Sequence, residues 1–284
     1  MMEMEPIDRV RVRARDGDSE VEREDALAVE EPLEIRIRSE AGGPVSSFVT
    51  TMRTPGSDEE LVAGLLFAEG VLESSKDLAS LDRPSDPRID PALKANVLVA
   101  TLGPEAFGRA GKLQRGTVMG SACGVCGKTS IENVIPADRP PLSCPLRVTA
   151  EVLYGLPGRL RERQSIFART GGLHAAGLFS ADGTLHEIRE DIGRHNATDK
   201  LVGACFLRGE LPLSDRVLMV SGRTGFEIVQ KAFAAGIPVV ASVSAPSSLA
   251  VALAETGGVT LVGFLRDRRF NIYANPGRVA RPTS

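Results

Sequence analysis

From residue 173 onward, short apolar runs alternate with amphipathic stretches. Val217-Leu218-Met219-Val220 is apolar at every position, as a strand covered on both faces requires. Residues 237–243 and 260–265 are runs of the same kind. Residues 173–179 read as a strand that turns at Ala181-Asp182-Gly183 and returns along 184–190. Between these runs, 196–207, 226–235 and 247–255 read as helices, the second ended by Gly236. Strands alternating with helices of about ten residues predict an α/β layer with a largely parallel sheet.

The N-terminal half is patterned differently. Residues 1–25 are charged, lack a stable period and read as a flexible arm. Over 32–38, Leu33, Ile35 and Ile37 alternate with Glu34, Arg36 and Arg38, predicting a half-buried strand. Its antiparallel partner is expected at 46–52, across a turn at Ala41-Gly42-Gly43-Pro44. Ser57 with Glu60 three residues on has the form of a capping box, opening a helix whose stripe of Leu61, Leu65, Leu66 and Leu72 runs to Glu73. Residues 80–91 read as loop and 96–102 as a strand. Pro136, Pro140, Pro141 and Pro145 mark a linker, and 149–164 reads as a helix ended by Thr170-Gly171-Gly172. The expected organisation is a flexible arm (1–25), a smaller N-terminal α+β domain (26–145) and a C-terminal α/β domain (146–284).

Composition narrows the function classes. Of 284 residues, 42% are hydrophobic and 25% charged, which supports a substantial core. A net charge of −3 and only two tyrosines with no tryptophan argue against a nucleic-acid binder. No apolar run reaches the length of a membrane span, and the N-terminus has no secretory pattern, so a cytoplasmic location is expected. In a reducing compartment, cysteines serve catalysis or metal binding more often than structural disulfides.

Two of the four cysteines fall in Gly120-Ser121-Ala122-Cys123-Gly124-Val125-Cys126-Gly127-Lys128. The spacing serves a redox disulfide, half of a zinc site, a sulfur- or acyl-carrying nucleophile, or ordinary loop thiols. Structural zinc needs four ligands, and Cys144 and Cys205 form no second pair. A thioredoxin-like motif opens a helix, which the glycines around Cys123 oppose. Zinc deaminases need H-x-E, and His174-Ala175-Ala176 lacks the glutamate.

Further along, 187–200 is dense in donors and acceptors: Asp191, Arg194, His195, Asn196 and Lys200 follow a strand directly, either as a solvated helix entrance or as a ligand site. Ser221-Gly222-Arg223-Thr224-Gly225 and Ser244-Ala245-Pro246-Ser247-Ser248 each follow a buried strand, and Arg266-Asp267-Arg268-Arg269 follows the last. Three successive strand ends with anion-friendly groups suggest a phosphorylated, nucleotide-like ligand along one sheet edge.

Together, 121–128, 171–176, 190–196, 221–224, 244–248 and 263–266 closely resemble the FdhD family, formate dehydrogenase accessory sulfurtransferases, in the family's order from about residue 31 to about 278. The resemblance implies a sulfur carrier. It would take sulfur from a cysteine desulfurase as a cysteine persulfide and pass it to the molybdenum (or tungsten) bis(molybdopterin guanine dinucleotide) cofactor before insertion into formate dehydrogenase. It also implies a cytidine-deaminase-like three-layer α/β/α arrangement for the C-terminal domain. Cys123 matches the persulfide cysteine and Cys126 its partner. Phe264, Leu265, Arg266, Asp267, Arg268 and Arg269 match the cofactor-binding segment, with Arg223, His174 and His195 expected beside it. The bound substrate is the cofactor, with GDP as a fragment analogue; no metal site, nucleic acid or membrane is expected, and a homodimer is. A zinc-binding module and a thiol–disulfide oxidoreductase are the alternatives.

Overall fold

The computed structural model describes residues 5–84, 90–114 and 140–280. Its first element corrects the flexible arm. Strands β1 (Ile7–Asp16) and β2 (Ser19–Ala28) form a separate antiparallel hairpin. The register sets Arg11 opposite Glu24, Arg13 opposite Glu22 and Arg15 opposite Glu20, across a turn in which Gly17 has φ 58°. Cross-strand charge pairs mark these strands. In β1, Val10, Val12 and Ala14 alternate with Arg11, Arg13 and Arg15 as a half-buried strand requires, whereas β2 is polar and exposed over most of its length and carries no such period.

The next unit is a four-stranded sheet of order β4-β3-β6-β5, built from β3 (Glu31–Ser39), β4 (Ser46–Arg53), β5 (Leu78–Asp82) and β6 (Val97–Leu102). Leu33, Ile35 and Ile37 face inward, as their alternation predicts. Helix α1 (Asp58–Ala68) follows β4, a short α2 (Pro91–Lys94) precedes β6, and α3 (Pro104–Gln114) follows it. The capping box at Ser57 does not form: Ser57 adopts a left-handed conformation (φ 54°) and its side chain caps nothing. Two of the three acidic groups of that turn are engaged elsewhere. Asp58 binds the fully buried Arg53 (2.9 and 3.0 Å) and Arg83 (2.6 Å), and Glu60 binds Arg189. Burial alone would raise the Asp58 pKa, and the two guanidinium groups outweigh it and hold it low. The helix also ends before Glu73, at Ala68.

The C-terminal part comprises α4 (Ala150–Arg163), α5 (Ser165–Thr170), β7 (His174–Phe179), β8 (Leu185–Asp191), α6 (Arg194–Leu207), β9 (Val217–Val220), α7 (Phe226–Ala234), β10 (Val239–Ser242), α8 (Ser248–Gly257), β11 (Thr260–Arg266) and β12 (Arg269–Ala274). The six strands lie in the order β12-β11-β10-β9-β7-β8. The sheet is mixed, which corrects the largely parallel expectation. β9, β10 and β11 are parallel, whereas β7 runs against β8 and β9, and β12 against β11. An apolar run reports burial on two faces and not direction. β12 is a mostly exposed edge strand that the sequence pattern did not reveal.

Period two along the central strands divides the interior. Leu218 and Val220 join a core with α6, α7 and α8, while Val217 and Met219 join another with Leu153, Leu156 and Leu160 of α4. Helices therefore cover both faces, making an α/β/α layering. The first of these cores continues through α1 into the four-stranded sheet. There α1 and α6 meet backbone to backbone. A Cβ on Gly64 would stand 1.9 Å from the Asp199 carbonyl oxygen, and one on Gly203 would stand 1.8 Å from that of Glu60. Among the described residues, no helix is long and apolar enough to cross a membrane.

Candidate functional site

Because β7 runs antiparallel to β9, its first residue, His174, lies beside the C-terminal end of β9. Ala175 donates its amide to Ser221 Oγ (2.8 Å) and Ser221 donates to the Ala175 carbonyl (2.9 Å). The loops after β9, β10 and within β11 are stitched side by side. Thr224 N–H donates to Ala245 O (3.2 Å), Ser247 N–H to Thr224 O (3.0 Å) and Phe264 N–H to Ser244 O (3.1 Å). These three amides bind neighbouring loops and are not free for an anion.

Gly222 allows the closest approach: a Cβ there would lie 3.2 Å from His174 Nδ1 and 3.7 Å from Arg194 Cδ. His174 is half-buried. Burial and the nearby Arg194 lower its pKa against the opposing pull of Asp191, so the ring is neutral at pH 7. His195, in the first turn of α6, stands with Nδ1 3.3 Å from Glu227 Oε2. Burial, with Arg194, Lys231 and His174 adding to it, still pushes its pKa down to about 3. The site therefore presents two neutral imidazoles beside a guanidinium.

Asp191, wholly buried, holds this corner in place. It accepts from the amides of Gly193 (2.8 Å) and Thr54 (3.2 Å) and from Asn196 Nδ2 (3.1 Å), and it pairs with Lys200 Nζ at 2.7 Å. Lys200 also donates to the Thr54 carbonyl (2.8 Å), and Asn196 to that of Met52 (2.7 Å). The end of β4 is thereby fastened to the start of α6. A second buried pair, Asp199 with Lys231 at 2.6 Å, ties α6 to α7, and burial raises the Asp199 pKa to about 6.

The structure brings His174, His195 and the loop of Arg223 to one end of the sheet, with Arg223 exposed. The segment from Phe264 to Arg269 is different from an irregular strand end. Asp267 (φ 50°) and Arg268 (φ 55°) form a two-residue turn, with Arg266 opposite Arg269 in the β11–β12 register. Phe264 (φ 53°) is half-buried next to Ser244, and Leu265 is fully buried under α4. Arg268 leans onto α4, pairing with Glu151 (2.7 Å) and lying 5.0 Å from the Tyr154 ring. Cys123 and Cys126 lie outside the described residues. Cys205 is buried in α6, where burial raises its thiol pKa to about 11, as an inert core thiol requires.

Sequence reasoning missed Glu227, Lys231 and Gln164. The first two are charged residues within an apolar helix, a detectable signal of buried pairing. Gln164, between α4 and α5, carried none. Three of the buried polar side-chain atoms that lack a hydrogen-bond partner among the described residues lie on segments flanking this sheet end: Gln164 Nε2, Arg194 Nε and Thr224 Oγ1. The two nitrogens can only donate and the hydroxyl can donate or accept, so all three could donate to an acceptor.

The sequence profile described as FdhD/NarQ family matches residues 28–280. A protein of Streptomyces coelicolor named sulfur carrier protein FdhD is 49% identical over 271 residues, spanning 95% of this chain and 94% of its own. One of the same name from Mycobacterium tuberculosis is 48% identical over 273 residues, spanning 95% and 97%. In Sulfurisphaera tokodaii, another is 40% identical over 273 residues, spanning 96% and 99%. A crystal structure from Desulfotalea psychrophila, titled as a putative formate dehydrogenase accessory protein, shares the fold with a TM-score of 0.72 at 22% identity, covering 97% of this chain and 100% of that one.

Proposed function

The chain belongs to the FdhD/NarQ family, and from that membership we propose that it is a cytoplasmic sulfur carrier, a sulfurtransferase that serves formate dehydrogenase. The Cys123 thiolate attacks the outer sulfur of a cysteine desulfurase persulfide. The new S–S bond gives Cys123 persulfide, and the desulfurase thiolate leaves. The molybdenum bis(molybdopterin guanine dinucleotide) cofactor docks at the sheet end as substrate. Cys126 then attacks Cys123 Sγ, releasing hydrosulfide towards the metal. Forming the Cys123–Cys126 disulfide supplies the two electrons that reduce the outer sulfur to hydrosulfide, and an external dithiol then reduces the disulfide back to the two thiols.

Support for the docking half comes from one observation above all, the approach of His174 and Arg194 to Gly222 at a sheet end whose flanking segments also carry His195 and the unpartnered polar atoms of Gln164 and Thr224. Such a surface suits an acceptor-rich, phosphate-bearing ligand, with Arg223, Arg266 and Arg269 as its outer cations. A cytidine-deaminase-like α/β/α layer belongs to the same reading, supported by helices on both faces of the sheet, and so does a homodimer presenting paired pockets. The test is complementation. Cys123→Ala should abolish activation of formate dehydrogenase and leave GDP binding intact; full activation by that variant contradicts the persulfide assignment.

A further inference from the structure

The β1–β2 ribbon stands apart from both other sheets, so among the described residues each of its strands has one edge without a partner strand. Its register runs without a bulge from Ile7–Ala28 to Asp16–Ser19, and neither strand contains proline or lysine. Those are the usual means of blocking an edge. A lone two-stranded ribbon is marginally stable in water, and further strands remove that weakness. Helix α5 supports the base of this one, where a Cβ on Gly172 would stand 3.6 Å from that of Ala28.

Charge decides which edge can receive a second copy. Positions 9, 11, 13 and 15 of β1 are all arginine, so antiparallel pairing of β1 with another β1 sets arginine against arginine in every register. Like charges directly opposite are destabilising. The β2 edge differs. Val21, Arg23, Asp25 and Leu27 share one face by period two, and Val21 and Leu27 are 58% and 45% exposed. On the other face Arg13 lies 4.0 Å from Glu20 and 3.7 Å from Glu22, so those charges are answered within the ribbon. Arg23 and Asp25 make no ion pair among the described residues; Asp25 accepts the adjacent Ala26 amide (3.1 Å).

Read in either direction, these four positions run apolar, charged, oppositely charged, apolar. An antiparallel pairing of two β2 strands centred on Glu24 therefore sets Val21 opposite the partner's Leu27 and Arg23 opposite the partner's Asp25. Glu24 alone meets its own copy. Arg9 stands 3.4 Å from it and Arg11 is its cross-strand neighbour, so cations flank that one like pair.

We propose that β2 is a dimerisation strand, through which two copies of the chain pair antiparallel over residues 21–27 and join their ribbons into one four-stranded sheet of order β1-β2-β2-β1. The inference rests on the homodimer proposed above and assigns its contact.

Sedimentation equilibrium of the full-length protein tests it. Arg23→Glu sets a carboxylate against the partner's Asp25, and Asp25→Arg sets a guanidinium against the partner's Arg23. Each change acts at both symmetry-related pairs and should weaken dimerisation on the order of tenfold or more. The double variant restores opposite charges and should return the dissociation constant to within about threefold of wild type. Both side chains are exposed, and thermal melts establish that each variant folds. Single variants that dimerise like wild type, or a double variant no tighter than the singles, overturn the β2 pairing alone. A wild-type protein that stays monomeric at every concentration overturns the pairing together with the homodimer.

Discussion

Lys200 Nζ lies 2.7 Å from Asp191 Oδ2, and the two side chains are 2% and 0% exposed. The pair stands between the end of β4 and the start of α6, where Arg194 and His195 are presented. Removing one charge leaves the other buried without a counter-charge. Lys200→Met should therefore destabilise the protein by about 3–5 kcal/mol in chemical denaturation. Combining it with Asp191→Asn should recover part of that loss. A loss below about 1 kcal/mol for the single variant would mean that the pair is solvated in solution.

Gly203 decides between two effects of opposite sign. In an exposed helix, Gly→Ala stabilises by up to about 1 kcal/mol. Here the added Cβ would fall 1.8 Å from the Glu60 carbonyl oxygen, a backbone atom that cannot swing away. Gly203→Ala should destabilise by at least about 2 kcal/mol as α1 and α6 are forced apart. A stabilised variant would contradict the close crossing.

His195 links stability to pH. Its pKa falls from 6.5 in the unfolded chain to about 3 in the fold, because burial and the charges of Arg194 and Lys231 outweigh Glu227. The unfolded chain therefore binds the proton first. Stability from this group is complete above pH 6.5 and declines as pH falls from there towards 3. Denaturation across that range should show a shallower acid decline for His195→Gln than for wild type. Parallel declines would place the histidine in water.

The outer cations predict salt sensitivity. GDP affinity should fall on the order of tenfold between low and high salt, because exposed charges are screened over about a Debye length. Arg266→Ala should flatten that dependence while leaving the melting temperature near wild type. Calorimetric affinities that do not change with salt would contradict a role for Arg223, Arg266 and Arg269 in docking.

Much of the fold is legible in the sequence because burial leaves a period. Leu33, Ile35 and Ile37 mark one half-buried strand, and Val217 to Val220 a doubly covered one. What burial does not encode is direction, and so the mixed sheet escaped. The β1–β2 hairpin escaped although Val10, Val12 and Ala14 alternate along β1, because its partner β2 is polar and exposed and pairs by charge, as Glu22 does with Arg13. At the site, the strand-end loops and both histidines could be placed from sequence. The turn at Asp267-Arg268 could not, because left-handed backbone at two non-glycine residues is imposed by the hairpin. Gln164 acquires meaning only when α4, α5 and β7 converge around it. Cys123 and Cys126 lie outside the described residues; their spacing leaves several chemistries open, and the family resemblance is what proposes sulfur carriage.

The central claim concerns that pair and is tested most directly by mass spectrometry of the protein after incubation with a cysteine desulfurase and cysteine. Sulfur carriage predicts an added mass of about 32 Da, one sulfur, on the peptide containing Cys123, removable by a dithiol and absent from Cys123→Ala. An unmodified Cys123 peptide, with desulfurase turnover demonstrated in the same sample, would contradict it.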